Sequence, residues 1–218
     1  MAGRDFRTSG CVAAAERVIF LPNVNFYPRG SPYLCPPKRN LMKDSIDFAR
    51  MNIPQLFRKG ECVIREGERN YNLYVVSRGI WLGHYLHDGI DVSLWFAGEG
   101  EAIFSTRSYV ADLPAQISIE AMCDAELYAL SKADLEAFFA ESIEAANFGR
   151  RLFEELFLDL ENWQLAGGAP RAEERYRALM EENPELLRIV PLKRIASYLW
   201  ITPQSLSRIR ARILRKKP

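Results

Sequence analysis

The sequence predicts an α+β protein: an antiparallel β jelly-roll barrel, then one long amphipathic helix, then a C-terminal helix-turn-helix. Three observations predict it. Between residues 53 and 130, short apolar runs alternate with glycines, as in a sandwich or barrel of many short strands. Between residues 143 and 165, large apolar side chains recur at three- and four-residue steps, the period of a helix. Between residues 192 and 213, two short apolar stripes flank a turn, and the second stripe starts with a capping Thr-Pro and carries a basic face.

The strand candidates are Cys62-Val63-Ile64, Leu73-Tyr74-Val75-Val76, residues 80–86, residues 90–96, Ile117-Ser118-Ile119 and residues 126–130. Gly60, Gly67, Gly79, Gly83, Gly89, Gly98 and Gly100 punctuate them. The clearest hairpin joins the third and fourth runs through His87-Asp88-Gly89, because Asp-Gly adopts the positive φ angles of a tight turn at little cost. After this region Ser131 and Asp134 open a short helix whose Leu135, Phe138 and Phe139 face the barrel.

The long helix carries Phe148, Leu152, Phe153, Leu156, Phe157, Leu160 and Trp163. Seven large groups make a wide stripe, and a partner helix across a two-fold axis accounts for it; an ordinary core helix is the alternative. Gly167-Gly168 ends the helix and is the hinge candidate. Pro170 suits the first turn of the next helix, expected over residues 171–182 and stopped before Asn183-Pro184. These boundaries divide the chain into an N-terminal extension (1–44), a barrel (45–141), a dimerisation helix (142–166) and a helix-turn-helix domain (167–218).

In the last segment Ile195, Ala196 and Leu199 form the apolar face of a first helix. Trp200-Ile201 form the turn, with Ile201 directed to the core. Thr202 caps a second helix, Pro203 begins it, and Leu206, Ile209 and Ile213 are its buried face. Gln204, Ser205, Ser207, Arg208 and Arg212 lie opposite, so this helix is built for the major groove. Gln204 can pair bidentately with adenine and Arg208 with guanine, while Ser205 and Ser207 add base or phosphate contacts. Arg210, Arg212, Arg215, Lys216 and Lys217 suit phosphates, which set affinity without carrying sequence information.

Charge agrees with this reading. The 218 residues hold 29 Lys and Arg against 28 Asp and Glu, for a net +1. Residues 191–218 contain eight of the basic residues and no acid, so the remainder is net negative by seven. A basic end on an acidic body points to a polyanion partner, with a solvated tail as the bland alternative. At 48% hydrophobic and 26% charged, the chain has the composition of a globular protein with a real core. No uncharged apolar run approaches the ~20 residues of a membrane span, and Glu16 and Arg17 interrupt the only candidate signal core, so a cytoplasmic protein is expected.

Other chemistry is sparse. Cys11, Cys35, Cys62 and Cys123 are unpaired in sequence and far from zinc spacing, so reduced thiols and no metal are expected. His84 and His87 sit on or beside the hairpin, where surface exposure is the ordinary explanation. Tyr71, Trp81, Tyr85 and Trp95 read as core aromatics sooner than as a pocket lining. No catalytic constellation is visible, so no enzyme is expected. Residues 23–39 lie in a proline-rich stretch without periodicity; they read as a loose extension, or as sequence upstream of a start at Met42.

The order of these parts resembles the CRP/FNR family of bacterial transcription regulators. The resemblance runs from about Ile53 to the C-terminus. It is carried by Lys59-Gly60-Glu61, Arg65-Glu66-Gly67-Glu68, Leu73-Tyr74-Val75-Val76, Arg78-Gly79, Asp88-Gly89, Gly98-Glu99-Gly100 and the helix-turn-helix. The ending IASYLWITPQSLSRIR looks like the branch common among Bacteroidetes, which reads IASYLGITPxSLSRIR. The resemblance implies a cyclic-nucleotide-binding-like barrel, a homodimer formed by the long helix, double-stranded DNA with a palindromic operator as partner, and RNA polymerase as a further partner.

Two departures bear on mechanism. Members that bind cyclic nucleotides use Gly-Glu for the ribose and Arg-Ser or Arg-Thr for the phosphate. Here the matching stretches read Ala102-Ile103-Phe104-Ser105-Thr106 and Pro114-Ala115-Gln116-Ile117-Ser118. With no cation at the phosphate position, cAMP is not expected to bind tightly. Ser105, Thr106, Arg107 and Gln116 remain as the candidate pocket for an unidentified small-molecule effector, and Arg107 is the one substitute cation. An iron–sulfur cluster lacks its grouped cysteines, so no cofactor is expected. The second departure is Trp200, where the family has glycine; a positive φ there costs on the order of 1–2 kcal/mol. A regulator is therefore the leading expectation. The alternative is a ligand-binding or protein-interaction module of the same fold that has lost DNA binding.

Overall fold

A computed structural model describes residues 52–167 and 171–215, all within one unit of the fold. The extension 1–44, residues 45–51, Gly168, Pro170, Lys216 and Lys217 lie outside them, as do Cys11 and Cys35.

Among the described residues eight strands form two four-stranded antiparallel sheets. They are β1 (Gln55–Phe57), β2 (Cys62–Ile64), β3 (Asn72–Arg78), β4 (Trp81–His87), β5 (Ile90–Ala97), β6 (Ala102–Ile103), β7 (Ser118–Ala121) and β8 (Ala125–Ser131). One sheet runs β1-β8-β3-β6 and the other β2-β7-β4-β5, the two-layer arrangement of a jelly roll. A six-residue helix, α1 (Thr106–Ala111), links β6 to β7. Strands β1 and β6 and helix α1 are absent from the sequence expectation, because each is too short to show a period.

Between the sheets Ile64, Tyr74, Val76, Trp81, Ile119 and Leu127 form an apolar core. Phe57 meets the Trp81 ring edge-on, with centroids 5.1 Å apart. The β4–β5 hairpin closes on Asp88 (φ 49°) and Gly89 (φ 75°), two consecutive positive φ angles, as Asp-Gly predicts. Along the same pair Gly83 lies under Trp95: a Cβ there would stand 2.3 Å from the indole, so the ring packs flat only because the side chain is missing.

The helices follow as α2 (Lys132–Glu141), α3 (Ile143–Gly167), α4 (Ala172–Glu182), α5 (Leu186–Ile189), α6 (Leu192–Tyr198) and α7 (Pro203–Arg215). Ser131 caps α2 by accepting the Asp134 N–H at 3.1 Å and donates to the Asp134 carboxylate at 2.6 Å. Ser142 caps α3 through the Ala145 N–H at 3.0 Å. Only α5, a single turn, is unforeseen among these helices.

The long helix divides its stripe. Leu152 is buried with Leu73, Val75, Tyr109, Leu130 and Leu135, and Phe148, Phe153 and Leu156 pack on that cluster. These four are committed to the chain's own barrel, contrary to a single seven-residue dimer face. Phe157 and Leu160 project outward, 73% and 49% exposed. The side chain of Trp163 is outside those described. The reason is the 100° step of the helix: seven residues at mixed three- and four-residue spacing cover more than one face.

Helices α4 to α7 build a second core from Tyr176, Leu179, Leu186, Ile195, Leu199 and Leu206. Leu82 and Met122 of the barrel belong to the same cluster. Leu82 follows Trp81 on β4, so alternation sends one side chain to the barrel interior and the next outward, under the helices. No described helix is long and apolar enough to cross a membrane.

Candidate nucleic-acid interface

Helices α6 and α7 pack together across a short turn, where the sequence predicts a helix-turn-helix. Ile195, Ala196, Leu199 and Leu206 are buried where they cross, with Ile209 almost so, and Ile201 and Ile213 pack on the same cluster. The turn is a Schellman motif: the Ile201 N–H donates to the Ala196 carbonyl and the Trp200 N–H to the Ser197 carbonyl, both at 3.0 Å. Such a motif needs a left-handed residue, and Trp200 takes that place at φ 58° with 53% of its surface exposed. The positive φ that the sequence resemblance predicts at this position is therefore present here. Arg175 of α4 donates to the Leu199 carbonyl at 2.8 Å, tying off the end of α6 with a positive charge. Trp200→Gly is expected to raise stability by about 1 kcal/mol, read as an upward shift of the urea midpoint.

Thr202 caps α7 by accepting the Ser205 N–H at 3.1 Å, and its hydroxyl donates to Ser205 Oγ at 3.0 Å. Ser205 is thus half-buried and committed to the cap, less available for a base edge than its position suggests. Gln204, Ser207 and Arg208 are exposed in the first two turns. Arg212 and Arg215 are exposed farther along, and Arg210 is half-buried. The sequence missed one partner. Glu173, in the first turn of α4, accepts from Arg212 at 3.0 Å and from Arg177 at 3.0 Å. The Arg177 guanidinium, with Arg212 behind it, holds the Glu173 carboxyl below its ordinary value. Arg171, Arg177, Arg208 and Arg212 line the open groove of about 770 Å³ between α4 and α7, with Glu173 and Glu174 among them.

The candidate effector residues lie at the other end of the barrel sequence. Ser105 is buried and caps α1 by accepting the Ser108 N–H at 3.4 Å. Ser108 in turn donates to the Leu113 carbonyl at 2.9 Å. Thr106, Arg107 and Gln116 are exposed, the last on the loop before β7. Among the described residues the buried polar side chains are Ser93, Ser105 and Ser108, and the core between the sheets is apolar. Cys62 and Cys123 are free, and burial pushes the Cys62 thiol above its ordinary value, away from reactive thiolate. His87 is exposed as expected. His84 is not: only 15% of its side chain is accessible, because α6 lies over it.

Among known proteins, the family described as the cyclic nucleotide-binding domain matches residues 54–142, which span β1 through α2. The fold is similar to that of FixK2 from Bradyrhizobium japonicum, at 20% identity and TM-score 0.61, covering 75% of this chain and 85% of that one. It is similar to CLP, the c-di-GMP responsive global regulator of Xanthomonas campestris, at 16% identity and TM-score 0.63, covering 79% and 92%. It is also similar to a CRP-family transcriptional regulator from Thermus thermophilus, at 17% identity and TM-score 0.59, covering 74% and 85%. No curated protein matches the chain in sequence.

Proposed function

We propose that the protein is a homodimeric, sequence-specific DNA-binding transcription regulator of the CRP/FNR type. One observation carries the reading: α7 buries Leu206 and Ile209 and turns Gln204, Ser207 and Arg208 outward, so its polar, basic side faces solvent at the start of the helix. A recognition helix meets bases with these first turns. Gln204 and Arg208 read base edges; Arg210, Arg212, Arg215 and the following Lys216 and Lys217 hold phosphates. Phe157 and Leu160 of α3 supply the two-fold contact that a palindromic operator requires. RNA polymerase is the further protein partner in this reading.

The test is binding to random duplex DNA at several salt concentrations. Arg210, Arg212, Arg215, Lys216 and Lys217 from two protomers give an expected log–log slope of about −9, at roughly −0.9 per phosphate neutralised. A flat response favours the interaction module that has lost DNA binding. Site selection from a random pool then yields the operator.

The effector of this regulator is not cAMP. Among the described residues no charged side chain is buried in the core between the sheets, and a buried phosphate without a cation is strongly disfavoured. Calorimetry with cAMP and cGMP is expected to show no binding in the micromolar range. A micromolar Kd would mean that a cation reaches the phosphate, Arg107 first.

A further inference from the structure

Helix α6 lies along β5, the edge strand of its sheet, and the contact between them has both polar and apolar parts. Arg194 of α6 forms ion pairs with Asp91 of β5 and with Glu120 of β7, the second at 3.3 Å. His84 of β4 stands between the same two carboxylates. Its Nδ1 is 2.9 Å from Asp91 and its Nε2 is 3.4 Å from Glu120. One turn along α6, Ser197 Oγ accepts the Ser93 N–H at 2.9 Å, and Phe96 meets Tyr198 edge-on at 5.2 Å.

Three adjacent strands thus hand one guanidinium a fixed, two-pronged seat. Leu82 and Met122 beside it supply apolar area, which holds α6 against the sheet without fixing its angle. A planar guanidinium between two carboxylates is directional, so it does fix the angle. The seat is also joined to the barrel interior. Glu120 lies between Ile119 and Ala121, both fully buried in the core between the sheets, and strand alternation points it the other way. Any repacking of that core moves the Glu120 carboxylate and with it Arg194.

We propose that Arg194, seated between Asp91 and Glu120 with His84 behind, is a positioning residue that sets the angle of the DNA-reading helices on the barrel and so the half-site spacing the protein accepts. The spacing clause rests on the DNA-binding reading above; the seating of α6 does not.

The test uses Arg194→Met in the full chain, with Glu120→Gln as the second variant. Amide hydrogen exchange at Ser93 reports the seat directly, and exchange at Val75 and Val76 of the opposite sheet reports integrity of the barrel. Exchange at Ser93 is expected to accelerate at least tenfold in Arg194→Met, with Val75 and Val76 unchanged. In the double variant the two effects should fall short of their product, because both remove the same contact. Unchanged Ser93 protection in both single variants, or strictly multiplicative effects, overturns the proposal. If Arg194→Met does not fold, Glu120→Gln alone decides by the same amide. The second readout is affinity for operators whose half-sites are moved by one or two base pairs. The parent chain should discriminate among them, and Arg194→Met should flatten that preference by about tenfold while affinity for random DNA changes little. A preference as sharp in Arg194→Met as in the parent also overturns it. Absence of DNA binding in the parent chain sinks the regulator reading and leaves the Ser93 result to judge the seat.

Discussion

If the proposed dimer forms through α3, glutamate in place of Phe157 or Leu160 is expected to convert it into monomer while leaving the barrel folded. Both side chains are exposed on α3, so the substitution removes little packing within the chain. In the two-fold contact each apolar group contributes about 1.5–3 kcal/mol when buried, and symmetry counts each twice. Two buried carboxylates brought together add a further penalty. The dimer dissociation constant should rise by on the order of 1,000-fold or more. Operator affinity should fall by at least about 100-fold, because a second half-site bound through the same molecule multiplies affinity by roughly 10²–10⁴. Sedimentation and gel retardation measure the two quantities. Leu152→Ala provides the contrast. Leu152 is buried against Leu73 and Leu130, so its truncation should cost about 2–5 kcal/mol of stability and leave the folded fraction dimeric. A dimer that survives both glutamate substitutions removes α3 from the interface.

The readable parts of the sequence were those with a long period or a strong local signal. Asp88-Gly89 fixed a hairpin because few residues take two positive φ angles in succession. Thr202-Pro203 fixed the start of α7 because cap and first-turn chemistry are local. Trp200 was legible in a different way: the turn after α6 demands a left-handed residue whatever the sequence supplies, so the glycine of the resembling sequences told more than the tryptophan did. What escaped was tertiary. Nothing local to His84 says that a helix 110 residues later will cover it, or that Asp91 and Glu120 will share one arginine. Glu173 was hidden likewise, since its partner Arg212 is 39 positions away and reached only once α4 lies beside α7. The stripe on α3 was read correctly as apolar but not divided, because the division depends on which side the barrel occupies.

Arg208→Ala should relax base preference, whereas Arg215→Ala should weaken binding to all sequences alike. The distinction comes from position along α7. Arg208 lies in its second turn, exposed beside Gln204 and Ser207, and a guanidinium there reaches a guanine edge with two hydrogen bonds worth about 1–3 kcal/mol of discrimination. Arg215 is the last residue of α7, three turns from the cap and beyond the depth of the groove, where a phosphate is the available partner. The ratio of operator to random affinity should therefore drop by about 5- to 150-fold in Arg208→Ala. In Arg215→Ala that ratio should hold while the salt slope becomes shallower by about one unit per protomer. Arg212 falls between the two. Its head is held by Glu173, so DNA must displace a carboxylate before a phosphate can take its place, and Glu173→Gln should tighten binding to operator and random duplex together. Equal losses on both duplexes for Arg208→Ala and Arg215→Ala would mean that α7 lies across the backbone and not within the groove.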